Sequence, residues 1–290
     1  MSNPNEGLAR SIQVRLVAHA RKIGVDPNLV LTRYGVERFL YRLSRSPHAE
    51  RFVLKGALLL MAWLGEALRP TRDADLLGFG DLSDDELVGI LRNVCAVEVE
   101  PDAVTFQPES VRVEPIRVED AYGGRRATLE AQVGKARLTV QVDIGIGDAV
   151  TPAPEWMDYP GLLDLPRARL RVYSRGSVIA EKLHAMVLLG TRNSRMKDYF
   201  DLRALAHEGA VDLDSLAEAI AATFARRETA VPDGVPIGLS EEFASDASSQ
   251  GQWKAFLTRN RLEGPAFVDV VREVREFVAG PLERARAGGK

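Results

Sequence analysis

The chain has 290 residues, of which 46% are hydrophobic and 27% are charged, and its formal net charge at pH 7 is −3. This composition is typical of a globular protein with one large or two ordinary domains, and the small negative charge argues against a general binder of polyanions. Cys95 is the single cysteine, no signal-peptide core opens the chain, and the most apolar run, residues 52–65, is too short to span a bilayer, so we expect a cytoplasmic protein without disulfides or membrane contacts.

Charge is unevenly distributed along the chain. Residues 1–51 have a balance of +5 (nine Lys or Arg against four acids), residues 73–102 of −8 (nine acids against one arginine), and residues 165–200 of +6 (eight Lys or Arg against two acids). Blocks of this size can flank a site that takes metal ions together with polyphosphate, or they can be ordinary solvated charge. The charge pattern alone leaves both interpretations open.

Two helices are predicted at the N-terminus. Apolar residues at helical spacing indicate the first over residues 7–23, and Asp26, followed by proline, predicts the cap of a second. The second helix contains a stripe of arginines at i, i+4 and i+7: Arg38, Arg42 and Arg45. This stripe is a candidate RNA-binding surface, because a guanidinium grips phosphate at two points, or it is an ordinary wet helix face.

Strands and helices alternate in the next segment. Strands are predicted over residues 52–54, 72–77, 111–118, 127–133 and 137–144. Helices are predicted over residues 57–65 and 84–93, the latter capped by Ser83. This order indicates an α+β or α/β layer with a mixed sheet.

The second half of the chain is predicted to be helical. Residues 150–167 are rich in proline and lack periodicity, so we place one domain at residues 1–165 and an α-helical domain at 166–290. Helices are predicted over residues 177–189 (capped by Ser177), 196–206, 214–225 and 264–285, with a loop or lid over 228–250. Lys182 shares an apolar row of its helix, so we expect it to be partly buried beside a partner.

Asp73 and Asp75 are candidate metal ligands. In a strand, alternate side chains share a face, so these two carboxylates would lie on one side about 7 Å apart. Such a pair can bind divalent cations, although the same D-x-D pattern also occurs in solvated turns. Asp143 follows a later apolar strand, where a charge is costly without a partner such as a metal. Lys55-Gly56, at a strand-to-helix turn, would let a phosphate approach the backbone.

Five segments in order resemble a known family: residues 53–56, 69–76, 142–148, 179–185 and 193–202. They resemble the AbiEii/AbiGii family of nucleotidyltransferase-like toxins, including the MenT type, within the superfamily related to DNA polymerase beta. The resemblance implies a nucleotidyltransferase-like mixed sheet with flanking helices, followed by an α-helical C-terminal domain. The chain departs from the superfamily at Gly56-Ala57, where a second glycine or a serine is usual, and in its longer gap from Gly56 to Asp73.

The resemblance also assigns roles to residues. The metal ligands would be Asp73, Asp75 and Asp143, binding Mg²⁺ or Mn²⁺, and the catalytic set would add Lys182 and Asp198. The nucleotide would be bound by Lys55, Gly56, Arg72, Lys182 and Arg195. Thr71 would be a site of regulatory phosphorylation. Asp198, with Asp201 as a further candidate, would complete the helical-side motif by orienting Lys182 or Arg195. His184 on the same helix as Lys182 fits a structural role better than a catalytic one, and the roles of Asp201 and His184 stay open.

The implied function is that of a toxin from a toxin–antitoxin system. It would transfer a nucleoside monophosphate from an NTP to an acceptor hydroxyl, with the tRNA 3′ end as the implied acceptor, and so block translation. A cognate antitoxin is the implied partner. Two alternatives remain: transfer of a nucleotidyl or phosphoryl group to a protein or small molecule, and a non-catalytic module that binds RNA or an antitoxin.

Overall fold

The computed structural model describes residues 4–66, 68–116, 124–147 and 150–288. The chain forms two compact units, one of Met1–Asp148 with Glu155–Val172 and the other of Ala149–Pro154 with Tyr173–Lys290. Within the described ranges, no helix combines the length and the apolar character needed to cross a membrane. The functional division of the chain at residue 165 stays a prediction.

A seven-stranded mixed sheet forms the centre of the first unit. Its strands are β1 (Phe52–Lys55), β2 (Asp73–Gly78), β3 (Val104–Pro115), β4 (Gly124–Val133), β5 (Ala136–Ile146), β6 (Glu155–Asp158) and β7 (Arg169–Val172). Their order is β3-β4-β5-β2-β1-β7-β6. The pairs β2–β5 and β1–β7 are parallel and the other neighbours are antiparallel. The predicted mixed sheet is therefore confirmed.

The helices of the first unit are α1 (Pro4–Ile23), α2 (Pro27–Arg45), α3 (Gly56–Leu64) and α4 (Asp84–Cys95). Two begin at the predicted caps: the Asp26 side chain accepts a hydrogen bond from the backbone N–H of Asn28, and that of Ser83 from Glu86. A cap of this kind stabilises a helix by about 1 kcal/mol. Helix α2 packs against β5, and α4 packs against β3.

One face of β2 and β5 is apolar and the other is polar. The apolar face consists of fully buried residues: Ala74, Leu76, Val142 and Ile144. The polar face consists of half-buried residues: Asp73, Asp75, Gln141 and Asp143. Because a shift of one residue would turn the acids into the core, burial of the apolar face fixes the register that places the acids together.

The strands at 155–158 and 169–172 were not predicted from the sequence. Both have four residues and pair with each other at one edge of the sheet. Arg169–Val172 does alternate between polar and buried apolar residues, but four residues are too few to indicate a strand by themselves, and Glu155–Asp158 lies in the proline-rich segment. Strand β3 begins at Val104, ahead of the predicted residue 111. Residues 117 and 118 of that predicted strand lie outside the described residues.

The second unit is helical. Its helices are α5 (Arg175–Leu189), α6 (Met196–Glu208), α7 (Leu213–Arg226), α8 (Glu241–Ser245), α9 (Ala247–Asn260) and α10 (Phe267–Gly288). The predicted cap of α5 is wrong, because Ser174 accepts the hydrogen bond from the N–H of Ser177. The predicted loop over 228–250 is wrong in its last part, where α8 and α9 begin.

Aromatic packing explains why α9 forms in a polar sequence. Trp253 is buried and stacks on Phe267 of α10 with ring centroids 5.5 Å apart. Its indole N–H donates to the carbonyl of Pro265 at 3.0 Å. Phe267 in turn meets the edge of Tyr199 of α6 at 5.1 Å. Burial of these rings against α6 and α10 supplies stability that helix propensity alone does not give to α9.

Candidate active site

A row of five charged side chains crosses the polar face of the sheet in the first unit. Neighbours in the row are register partners on adjacent strands. Strand by strand, the row is Glu114 (β3), Arg126 (β4), Asp143 (β5), Asp75 (β2) and Lys55 (β1). The two central acids, Asp143 and Asp75, therefore lie between Arg126 on one side and Lys55 on the other. We refer to these five residues as the charged row.

Asp73 lies next to the charged row and is held by neutral donors. The hydroxyl of Thr71 donates to Asp73 Oδ1 at 2.7 Å. The amide of Gln141 lies 3.4 Å from Asp73 Oδ2 and 3.3 Å from Asp143 Oδ1, so it bridges the two carboxylates. Hydrogen bonds like that from Thr71 contribute about 1 kcal/mol each and fix the orientation of a carboxylate.

Arg126 holds Asp143 in a two-point ion pair. Its Nε lies 2.9 Å from Asp143 Oδ1, and its Nη2 lies 2.8 Å from Oδ2. The hydrogen bond to Asp143 is the main cause of a raised pKa for Arg126, and the charges of Asp143, Asp73 and Glu114 add to it. The Arg126 side chain is 38% exposed and that of Asp143 17%. Counting outward from Gly134-Lys135, the short connection between the predicted strands 127–133 and 137–144, could have paired these residues.

Gly56 is required where α3 begins. Its φ is +69°, and a Cβ on this residue would lie 1.9 Å from Asp75 Oδ2. Only glycine therefore lets the backbone approach that carboxylate. The predicted strand-to-helix turn is confirmed, and it brings the N-terminus of α3 against Asp75, where the helix dipole favours negative charge.

The acids of this face suit a hard divalent cation. Asp73, Asp75 and Asp143 offer carboxylate oxygens, the ligands that Mg²⁺ prefers, from one face of two paired strands. Within the described residues, no three His, Cys, Asp or Glu side chains are already gathered closely enough to hold a metal ion. Hydrogen-bond donors occupy two of these carboxylates, since Arg126 binds both oxygens of Asp143 and Gln141 bridges Asp143 and Asp73. The three carboxylates fit a divalent cation once Asp143 and Asp73 exchange these hydrogen bonds for metal coordination.

The second unit contains a buried ionic cluster on α5 and α6. The ammonium of Lys182 lies 2.6 Å from Asp198 Oδ1 and 2.8 Å from Asp201 Oδ2. Arg195 Nε lies 2.7 Å from the other oxygen of Asp198. The Lys182 side chain is 12% exposed and Asp201 is fully buried, so the expected burial of Lys182 beside a partner is confirmed.

Charge pairing outweighs burial in this cluster. Burial by itself would raise the pKa of Asp198, but Lys182 and Arg195 lower it to about 2. Burial would likewise lower the pKa of Lys182, but Asp198 and Asp201 raise it. Lys182 and Asp198 therefore stay ionised at neutral pH. Asp198 orients both Lys182 and Arg195, which is the geometry that the resemblance implied.

His184 has a structural environment in the second unit. It is 2% exposed and meets the edge of Phe224 at 5.0 Å. Arg227 Nη1 lies 3.0 Å from its Nδ1, and Thr229 Oγ1 lies 3.0 Å from its Nε2. Because arginine can only donate, Nδ1 is the acceptor, which corresponds to the neutral Nε2–H tautomer.

Two of the three predicted RNA-binding arginines are buried. Arg38 and Arg42 both bind Asp102, at 2.9 and 2.7 Å, and lie inside the first unit. Arg42 and Arg38 lower the pKa of Asp102 against the effect of burial. The predicted stripe is therefore wrong for these two residues, because neither presents its guanidinium to a phosphate. Arg45 is exposed, as is Arg72 just before β2.

Comparison with known proteins gives one matching family and two structures of similar fold. The family model described as "Nucleotidyl transferase AbiEii toxin, Type IV TA system" matches residues 38–279. The crystal structure of JHP933 from Helicobacter pylori has a TM-score of 0.51 and 16% identity, covering 91% of this chain and 95% of that one. A second H. pylori structure, described as a candidate nucleotidyltransferase, has a TM-score of 0.48 and 16% identity, covering 91% of this chain and 98% of that one. No curated protein matches this chain.

These matches differ in what they show. At 16% identity, the similarity to JHP933 shows a shared fold only. The family model spans most of the chain, and its match includes β1, β2, β5, α5 and α6. The chain therefore belongs to the AbiEii nucleotidyltransferase toxin family of type IV toxin–antitoxin systems.

Proposed function

We propose that this protein transfers a nucleoside monophosphate from an NTP to the 3′ end of tRNA, using Mg²⁺ or Mn²⁺, and thereby blocks translation. Family membership gives the enzyme class, the toxin role and the expectation of a cognate antitoxin. The observation that carries the proposal is the shared face of Asp73, Asp75 and Asp143 on the paired strands β2 and β5. We place the reaction in the cytoplasm.

The acids would act at the reacting phosphorus. Asp73, Asp75 and Asp143 would hold the cation, which when bound lowers the pKa of the attacking hydroxyl and offsets the charge of the leaving pyrophosphate. Asp143 would accept the proton of the acceptor hydroxyl. The hydroxyl oxygen forms a bond to the α-phosphorus while the bond from that phosphorus to the bridging oxygen breaks, and pyrophosphate leaves with the electron pair.

The remaining predicted residues would bind the nucleotide and the RNA. In our proposal Lys55, the backbone at Gly56 and Arg72 of the first unit contact the phosphates, and a nucleotide-binding role for Lys182 and Arg195 of the second unit stays a prediction. Asp198 and Asp201 support this role for Lys182, because two carboxylates fix the position of its ammonium. Arg45 and exposed basic residues of 165–200 would bind tRNA phosphates, and this binding should weaken as salt rises.

An acceptor assay tests the proposal. Purified protein is incubated with each α-labelled NTP, Mg²⁺, total tRNA and total cell protein. We expect label in tRNA with the wild type, and loss of that label in Asp73→Ala. Asp158→Ala is the matched control, since Asp158 is an exposed aspartate on β6.

Other outcomes identify the alternatives. Label in protein or in a small molecule would select a different acceptor. No label with any NTP, from protein shown to be folded, would contradict an enzymatic role and leave a binding module. Label that persists in Asp73→Ala would contradict the assignment of the acids.

We also propose that phosphorylation of Thr71 silences the protein. Its hydroxyl donates directly to Asp73, so a phosphate there would replace a donor with about two negative charges beside the acids. Thr71 is buried, and modification therefore requires the segment before β2 to open. Thr71→Glu should abolish label transfer, whereas Thr71→Val should retain most of it. Full transfer by Thr71→Glu would contradict the switch.

A further inference from the structure

Arg126 lies between two carboxylates of the charged row. On one side it makes both hydrogen bonds to Asp143. On the other side its register partner is Glu114 of the edge strand β3, an exposed residue. Glu114 also contributes to the raised pKa of Arg126. The guanidinium therefore has a second carboxylate beside it on the same face of the sheet.

The contacts of Arg126 conflict with metal binding. Both oxygens of Asp143 accept hydrogen bonds from this guanidinium, and a cation bound to Asp143 would lie next to its positive charge. Asp143 therefore cannot satisfy Arg126 and a divalent cation fully at the same time. Gln141 does not create this conflict, because an amide carries no charge and touches only one oxygen of Asp143.

The exposure of this pair makes exchange feasible. Arg126 and Asp143 are 38% and 17% exposed, whereas Arg42 and Asp102, another arginine–aspartate pair of the same unit, are 8% and 3% exposed. Ion pairs that reach solvent contribute little to stability, while a buried pair cannot be broken without leaving an unpaired charge. Arg126 can therefore release Asp143, and Arg42 cannot release Asp102.

We infer that Arg126 is a positioning residue that competes with the divalent cation for Asp143 and moves to Glu114 when the cation binds. The inference rests on the proposed function, because it takes Asp143 as a metal ligand. It assigns a task to two residues that the proposed reaction does not otherwise use. In the absence of nucleotide, Arg126 keeps the third carboxylate in place and weakens the site for metal alone.

Manganese binding without nucleotide tests the inference directly. Free Mn²⁺ is measured by electron paramagnetic resonance during titration of the wild type, Arg126→Gln, Glu114→Gln and the double variant. Arg125→Gln is the matched control, because Arg125 is the neighbouring arginine of β4 and pairs with Asp84 instead. Arg126→Lys keeps the charge without the two-point contact, and thermal melting establishes that each variant is folded.

Substitution of Arg126 should raise the affinity for Mn²⁺, and substitution of Glu114 should lower it. Arg126→Gln should bind Mn²⁺ about tenfold more tightly, the scale of one charge-assisted hydrogen bond, and Arg126→Lys should lie between it and the wild type. Glu114→Gln should bind about two- to threefold more weakly, since an exposed pair is lost. That effect should vanish in the double variant, because Glu114 acts through Arg126. Arg125→Gln should match the wild type.

Contrary results separate this inference from the proposed function. Unchanged or weaker binding by Arg126→Gln would overturn the competition, and so would an undiminished Glu114→Gln effect in the double variant. Asp73→Ala serves as the reference for the metal site. If Asp73→Ala loses Mn²⁺ binding while Arg126→Gln equals the wild type, only this inference fails. If Asp73→Ala binds as the wild type does, the proposed metal site fails and the inference fails with it.

Discussion

The two units each contain a charge cluster with residues that the sequence singled out, and the clusters are built differently. In the first unit, the charged row lies on a half-buried sheet face, and its pair Arg126–Asp143 reaches solvent. In the second unit, Lys182, Asp198 and Asp201 are buried together on α5 and α6. A cluster open to water can exchange partners at little cost, whereas a buried one must keep every partner.

Both clusters contain residues with proposed roles in the reaction, but we expect only the buried one to be needed for the stability of its unit as well. The acids of the sheet face lie where a cation and a substrate can reach them. Asp198 and Asp201 are occupied by Lys182, and their burial makes them part of the interior of the second unit. We therefore expect substitutions on the sheet face to change activity with little effect on stability, and substitutions at Asp198 to destabilise the fold.

The largest stability effect is expected for Asp198→Ala. This substitution removes the shared partner of Lys182 and Arg195 and leaves a buried ammonium with Asp201 alone. Breaking a buried ion pair from one side costs about 3–5 kcal/mol. Urea unfolding measures the change, with Asp214→Ala as the control, since Asp214 is exposed and pairs at the surface with Arg284. A loss below about 1 kcal/mol, no larger than an exposed pair contributes, would remove the contrast between the clusters.

A smaller effect on the free energy of unfolding is expected from Glu37, a buried acid that has no lysine in contact with it within the described part of the chain. Burial raises the pKa of Glu37 to about 7 even though the nearby Arg38 and Arg33 lower it, whereas Asp198, which is also buried, has its pKa lowered by Lys182 and Arg195. The folded protein therefore holds the Glu37 proton more tightly than the unfolded chain does. Its contribution to stability is complete below pH 4.5, the ordinary pKa, and is lost as pH rises through about 7.

The pH dependence of unfolding measures this contribution. The linkage relation gives a loss on the order of 3 kcal/mol between pH 4.5 and 7.5 for a shift of this size. Glu37→Gln should remove that slope while its amide oxygen still accepts the N–H of Leu162. An identical slope in the variant would mean that burial does not control this carboxyl.

The smallest effect is expected for Thr71→Val. Valine keeps the shape of threonine and removes the hydrogen bond to Asp73, so the free energy of unfolding should fall by about 1 kcal/mol. Thermal or urea unfolding checks this value. A loss above about 3 kcal/mol would place Thr71 among the structural residues of the core and weaken its assignment as a switch beside the acids.

The sequence predicted those parts of the site that depend on short local patterns. The D-x-D alternation placed Asp73 and Asp75 on one face, and the strand-to-helix turn placed Gly56 where φ is positive. The apolar row of α5 predicted the burial of Lys182. Each of these follows from a period of two or 3.6 residues, which a single segment displays in full.

The parts that were missed depend on contacts between distant segments. Arg38 and Arg42 form a helical stripe that looks exposed until Asp102, 60 residues further on, closes over it. Arg126 acquires its role only when β4 pairs with β5 in one register. Strand β7 pairs with β1 and with β6, and both β6 and β7 have only four residues, too few for a pattern to indicate a strand. In each instance, contacts between segments far apart in the sequence determine the structure, and no single segment shows them.

One measurement tests the central claim most directly: label transfer from an α-labelled NTP and the melting temperature, determined on the same preparations of wild type, Asp75→Asn and Asp158→Asn. Asp75 lies in the charged row, and Asp158 is an exposed aspartate of the same sheet. Asp75→Asn should lose transfer by about a thousandfold, because several kcal/mol of charge stabilisation disappear, while its melting temperature stays within a few degrees of that of the wild type. Transfer by Asp75→Asn within tenfold of the wild type, in folded protein, would contradict the account.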